Sequence, residues 1–189
     1  MDEVLQQIRA CKNCAHLLEF GVNPVVTAGT ASKIIIVGQA PGRKVHLSGI
    51  PWDDKSGDNL RQWLGIDKDT FYDPDKIALI PMGFCYPGKG SSGDLPPRPE
   101  CAPLWHHPLM SRMKQVELVI LVGLYAQKYY LGTRAKHTLT ETVRHFREYR
   151  PRYLPLPHPS PRNNIWQKKN GWFAEDVLPE LKQQVREII

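Results

Sequence analysis

One stretch constrains the fold more than any other: Ile34-Ile35-Ile36-Val37, entered from Lys33 and closed by Gly38. A run with no polar residue at alternate positions predicts a strand buried on both faces, the hallmark of a parallel sheet covered by helices. Three further runs repeat the pattern. Ile77 to Ile80 stops at Pro81, Leu118 to Val122 stops at Gly123, and Tyr153 to Leu156 leads into Pro157 and His158. The proline inside the last one, Pro155, suits an edge strand. Helical periodicity fills the intervals at 4–10, 57–64, 102–113, 125–131, 140–149 and 173–188, with Pro179 breaking the last or marking a fresh start. Alternating strands and helices predict an α/β fold: three layers, α/β/α, around a four-stranded, mostly parallel central sheet.

Size and composition narrow the class. A chain of 189 residues suits one globular unit, 1–189, with one sizeable core. The mean hydropathy is −0.41, and no apolar run approaches the ~20 residues of a membrane span. The opening Met1 to Arg9 has acidic residues and no hydrophobic stretch behind them, so no signal peptide, no membrane partner and a cytoplasmic location are expected. The formal charge of +6 is compatible with a polyanionic partner.

In sheets of this kind ligands bind beyond the carboxyl ends of the strands, and each strand end here carries unusual residues. Gly38-Gln39-Ala40-Pro41-Gly42 makes a tight turn whose glycines let backbone approach a ligand closely. Its spacing is that of neither a P-loop nor a dinucleotide fingerprint. The rival reading is an ordinary strand-to-helix connection. His158-Pro159-Ser160-Pro161-Arg162-Asn163 places a hydrogen-bond donor at a strand end, on a loop stiffened by two prolines. Ser160 and Asn163 can touch phosphate there and Arg162 can press into a groove. Here the rival is a proline-rich surface loop with a solvated histidine. The four cysteines, Cys11 and Cys14 as C-x2-C, then Cys85 and Cys101, point to metal ligation rather than disulfides. A [4Fe-4S] cluster, a zinc ion and free thiols are all open.

Together the turn and the histidine loop resemble the signatures of the uracil-DNA glycosylase superfamily, and the cysteine pattern resembles its iron–sulfur, family 4-like branch. The resemblance implies a base-binding pocket formed by Gly38, Ala40, Pro41 and Gly42, with Trp52 of Gly49-Ile50-Pro51-Trp52 stacking on an extruded base and Pro81 at the position that meets the base edge. It implies DNA contacts by Ser56, Lys89, Arg98, Ser160, Arg162 and Asn163, and a structural [4Fe-4S] cluster on Cys11, Cys14, Cys85 and Cys101 that the chemistry does not need. Two departures stand out. At the turn positions where relatives hold a water-positioning acid or amide, this chain has Gln39 and Ala40; Gln39 can orient water but cannot take a proton. Of the nearest carboxylates on the matching segment, Asp53, Asp54 and Asp58, the first two directly follow Trp52 and are the candidate water activators, the rival reading being solvated or helix-capping side chains. Where iron–sulfur members carry a base-reading asparagine, this chain has Pro81, which has no side-chain donor or acceptor.

The implied function is a monofunctional DNA glycosylase that flips uracil or another deaminated or modified base from single- or double-stranded DNA and hydrolyses its glycosidic bond, acting as a monomer. His158 stabilises the departing base anion. The alternative is a relative of the same fold that binds nucleic acid without turnover, or reacts once and stays attached. Trp105-His106-His107 is expected on a helix surface with partial packing. Tyr125, Tyr129 and Tyr130 are expected to pack a helix face, and Trp166 and Trp172 to anchor the last helix, with Trp166 close enough to Arg162 to flank DNA.

Overall fold

The computed structural model describes all 189 residues. Helix α1 (Asp2–Arg9) precedes a long connection to β1 (Ile34–Val37), which leads through α2 (Arg43–Ser48), α3 (Lys55–Leu64) and α4 (Lys68–Tyr72) to β2 (Ile77–Leu79). A small hairpin follows, β3 (Lys89–Gly90) with β4 (Gly93–Asp94), and then α5 (Cys101–Met110). Next come β5 (Leu118–Val122), α6 (Leu124–Leu131), α7 (Leu139–Arg144) and β6 (Tyr153–Leu156), with α8 (Asn164–Lys169) and α9 (Leu178–Ile188) ending the chain.

The four long strands form one sheet in the order β2-β1-β5-β6, every pair parallel. The pleat sends alternate side chains to opposite faces, and both faces are buried. Ile35, Val37, Val119 and Leu121 join one core with Val4, Leu5 and Ile8 of α1. Ile34, Ile36, Ile120 and Leu154 join the other with Leu60 of α3 and Leu181 of α9. This is the expected three-layer α/β/α fold, and β6 is an edge, where Pro155 costs no ladder bond to a further strand.

The helices differ in detail. The segment expected to be helical at 140–149 divides into α7 and a 3₁₀ turn, Phe146–Tyr149. A π-helical turn at Phe173–Val177 precedes α9, whose first turn holds Pro179, where the missing N–H is harmless. No helix is long and apolar enough to cross a membrane.

Candidate functional site

A cavity of about 460 Å³ opens beyond the carboxyl ends of the strands, within the usual size of a ligand site. The turn after β1, from Gly38 to Gly42, forms one wall. It is held rigid from behind: the N–H groups of Met82 and Gly83 donate to the carbonyls of Gly38 (2.9 Å) and Gln39 (3.0 Å). Trp52, Asp54 and Ser56 border the cavity from the segment that opens α3, Pro81 from the end of β2, and His158, Ser160, Arg162 and Asn163 from the loop after β6.

The histidine loop is locked by its own polar groups. Ser160 N–H donates to His158 Nδ1 (3.2 Å), Asn163 Nδ2 to the His158 carbonyl (2.7 Å), and Asn59 Nδ2 of α3 to the Pro159 carbonyl (2.8 Å). With Nδ1 accepting, the neutral ring carries its proton on Nε2. Burial lowers the His158 pKa, opposed by the charges of Asp54 and Asp94, so the ring is neutral at pH 7. Just upstream, the buried amide of Gln127 on α6 donates to the carbonyls of Leu156 (2.9 Å) and Leu121 (3.4 Å), fixing the ends of β6 and β5.

Trp52 faces His158, the ring centroids 5.9 Å apart and the planes tilted by 32°. Its backbone sits at φ 58°, a left-handed conformation that costs a non-glycine residue about 1–3 kcal/mol. Two glycines make that placement possible. A Cβ on Gly57 would lie 1.8 Å from the Trp52 carbonyl oxygen, and one on Gly38 would lie 2.8 Å from Cζ2 of the indole. The Tyr72 hydroxyl of α4 donates to the Pro51 carbonyl (2.9 Å), steadying the bend from below.

Three expected site residues, Asp53, Lys89 and Arg98, are not brought to the cavity. Asp53 turns to Lys44, 3.8 Å away, and Asp58 pairs with Arg61 on the outer face of α3 at 2.5 Å. Asp54 does border the cavity, but it caps α3, accepting from Gly57 N–H at 2.9 Å. Lys89 is exposed on β3. Arg98 points elsewhere: its Nη2 donates to Glu100 at 2.7 Å, and its guanidinium lies at a second, small cavity together with Cys11, Cys14, Cys85 and Cys101. Trp166 is engaged inward, donating to Thr140 Oγ1 (2.8 Å) and packing against Trp172 and Phe173, so it does not flank the cavity.

His106 also corrects an expectation. It is buried, 2% exposed, rather than on a helix surface. Nε2 lies 3.0 Å from the Pro81 carbonyl, which can only accept, so Nε2 carries the proton and Nδ1 accepts from the Tyr130 hydroxyl at 2.5 Å. The Pro81 carbonyl thus has its hydrogen-bond partner on α5. Asp94 and Leu95, by contrast, belong to the cavity lining, although the loop between Lys89 and Arg98 is expected to face DNA. The signal was present as Gly90-Ser91-Ser92-Gly93, two glycines around a two-residue turn.

At the second cavity the thiols lie close enough to influence one another. Burial raises the Cys85 pKa to about 11, with the other three cysteines pushing the same way, and burial raises that of Cys101. Nε of Arg98 is buried there without a hydrogen-bond partner. No group of three or more His, Cys, Asp or Glu side chains is close enough to hold one metal ion. The turn, the tryptophan segment and the histidine loop all fall within residues 26–182, which match the family model of the uracil DNA glycosylase superfamily, and the chain belongs to that superfamily.

Proposed function

We propose that the protein is a DNA glycosylase that hydrolyses the bond between deoxyribose and a damaged base flipped into the 460 Å³ cavity. An N-glycosidic bond is out of reach while its base is stacked, so extrusion precedes chemistry. The observation that carries this reading is the state of His158: neutral, with Nδ1 occupied by the Ser160 amide and Nε2–H left to donate, in the same cavity as the Trp52 indole. A donor placed at a departing base anion typically contributes about 3–4 kcal/mol to the transition state. Trp52 stacks on the base, Arg162 enters the gap left in the strand, and Ser56, Ser160 and Asn163 hold backbone phosphates. With Pro81 offering no donor, the base edge is read by the Gln39 amide and backbone groups, which suits a deaminated base without committing the pocket to uracil.

The four thiols around the second cavity are the candidate ligands of a [4Fe-4S] cluster, which would tie the N-terminal segment to α5 and supply no step of the reaction. Zinc would need all four sulfurs about 2.3 Å from one point, and no three of these side chains stand close enough to hold one ion. The orphaned Nε–H of Arg98 suits thiolate or cluster sulfur as a partner.

The test is a panel of oligonucleotides carrying uracil, hypoxanthine or xanthine in single strands and mismatched duplexes. Alkali-labile scission that falls by about 10²–10³-fold in His158→Ala is expected. Binding without scission, or an adduct that survives denaturant, would replace hydrolysis with the silent or single-turnover alternative. A brown protein with a broad violet absorption band is expected for the cluster, and a colourless zinc-bearing one would discard it.

A further inference from the structure

Water capture at the sugar needs a group that can accept a proton, and the cavity offers few. The Gln39 amide cannot, His158 is committed as a donor with Nδ1 already filled, and Asp54 is held at the start of α3, its Oδ1 accepting from the Gly57 N–H. Asp94 remains. Its Oδ1 is held by one neutral donor, the Tyr86 hydroxyl at 3.3 Å. Its Oδ2 lies 3.5 Å from where a Cβ of Gly42 would stand, against the last residue of the turn. We propose that Asp94, delivered across space by the β3–β4 hairpin, is the base that activates the attacking water, an inference that rests on the glycosylase reading above.

The sign of the charge places it. A carboxylate repels a departing base anion and attracts a sugar with oxocarbenium character, so it serves the sugar side, opposite the work of His158. In the step, the C1′–N bond breaks with its electron pair going to the base, water oxygen bonds to C1′, and one water proton passes to Asp94. Solvent later takes that proton and protonates the released base. Tyr86 is the positioning residue: it is 2% exposed, and its ring packs on Phe20 at 5.3 Å and His46 at 6.0 Å, so its hydroxyl is held in place beneath Asp94. Beside it, a Cβ on Gly93 would lie 3.5 Å from Arg162 Nη1, so the hairpin and the histidine loop close the same edge of the cavity.

Single-turnover cleavage of whichever panel oligonucleotide the wild type opens decides the matter. Asp94→Asn is expected to lower the rate by about 10²-fold or more, with affinity for a tetrahydrofuran-bearing oligonucleotide unchanged within about threefold. Added formate is expected to restore part of the rate of Asp94→Ala, and Tyr86→Phe to lose about tenfold. A rate in Asp94→Asn within about threefold of wild type overturns the assignment, as does an Asp94→Ala loss that formate leaves untouched. A wild type that opens none of the substrates defeats the glycosylase reading itself, a separate outcome from either of these.

Discussion

Protonating His158 would put a second N–H where the Ser160 amide already donates, so the loop geometry depends on the neutral ring. Because burial outweighs Asp54 and Asp94 and lowers its pKa below 6.5, the single-turnover rate is expected to stay level as pH falls through 6.5 and to decline only at lower pH; a midpoint at or above 6.5 would mean the ring is not desolvated as described. Trp52 poses a steric question instead. Gly57→Ala sets a Cβ 1.8 Å from the Trp52 carbonyl, a backbone atom that cannot yield without moving the indole. Activity is expected to fall at least tenfold and the melting temperature to drop, by about 2–4 °C per kcal/mol for a chain this long. Gly38→Ala meets only the indole edge at 2.8 Å, so it is expected to cost activity with a smaller change in stability. Equal melting losses in the two variants would show that the bend at Trp52 is not rigid.

At the level of elements, α5 holds Pro81 of the cavity lining, through the His106 bond to the Pro81 carbonyl. Burial lowers the His106 pKa to about 4. Between pH 6.5 and 4 the unfolded chain therefore binds a proton that the folded chain refuses, and stability falls as pH falls through that window, by about 3 kcal/mol at pH 4. Denaturant unfolding across the window should show that loss, with a shallower dependence in His106→Gln; parallel curves would place the dependence on other groups. This burial was hidden in the sequence because His106 and His107 are adjacent, and a helix turns one inward and the other outward with no mark to say which. The four strands were legible for the opposite reason, since residues buried on both faces leave unbroken apolar runs. Helices α2, α4 and α8, of 6, 5 and 6 residues, were not, because under two turns a 3.6-residue period has no room to repeat. Of the site, the residues at strand ends were readable from their glycine, proline and histidine chemistry. Asp94 was not, since only the hairpin fold carries it to the turn.

Across the whole molecule, one segment links both cavities. Pro81 lines the first, Cys85 the second, and Asp94 and Leu95 return to the first. Asn23 joins the two regions as well, its Nδ2 donating to the His46 carbonyl at 2.6 Å while its backbone amide bonds to Cys85. Cys11 and Cys14 lie ahead of the matched residues 26–182, on a segment whose α1 packs into the first core. A link from their thiols to the cavity would run through Cys85 and the neighbouring Tyr86, whose hydroxyl donates to Asp94. Replacing both, Cys11→Ser with Cys14→Ser, is expected to lower the melting temperature by several degrees or more and to reduce single-turnover cleavage. Residues acting in one network give non-additive losses, so the rate penalty of the double serine variant should shrink toward nothing in an Asp94→Asn background while the melting penalty persists. Rate losses that simply multiply would show the cysteine end and the hairpin to be independent supports, with the thiols steadying the fold and leaving Asp94 where it is.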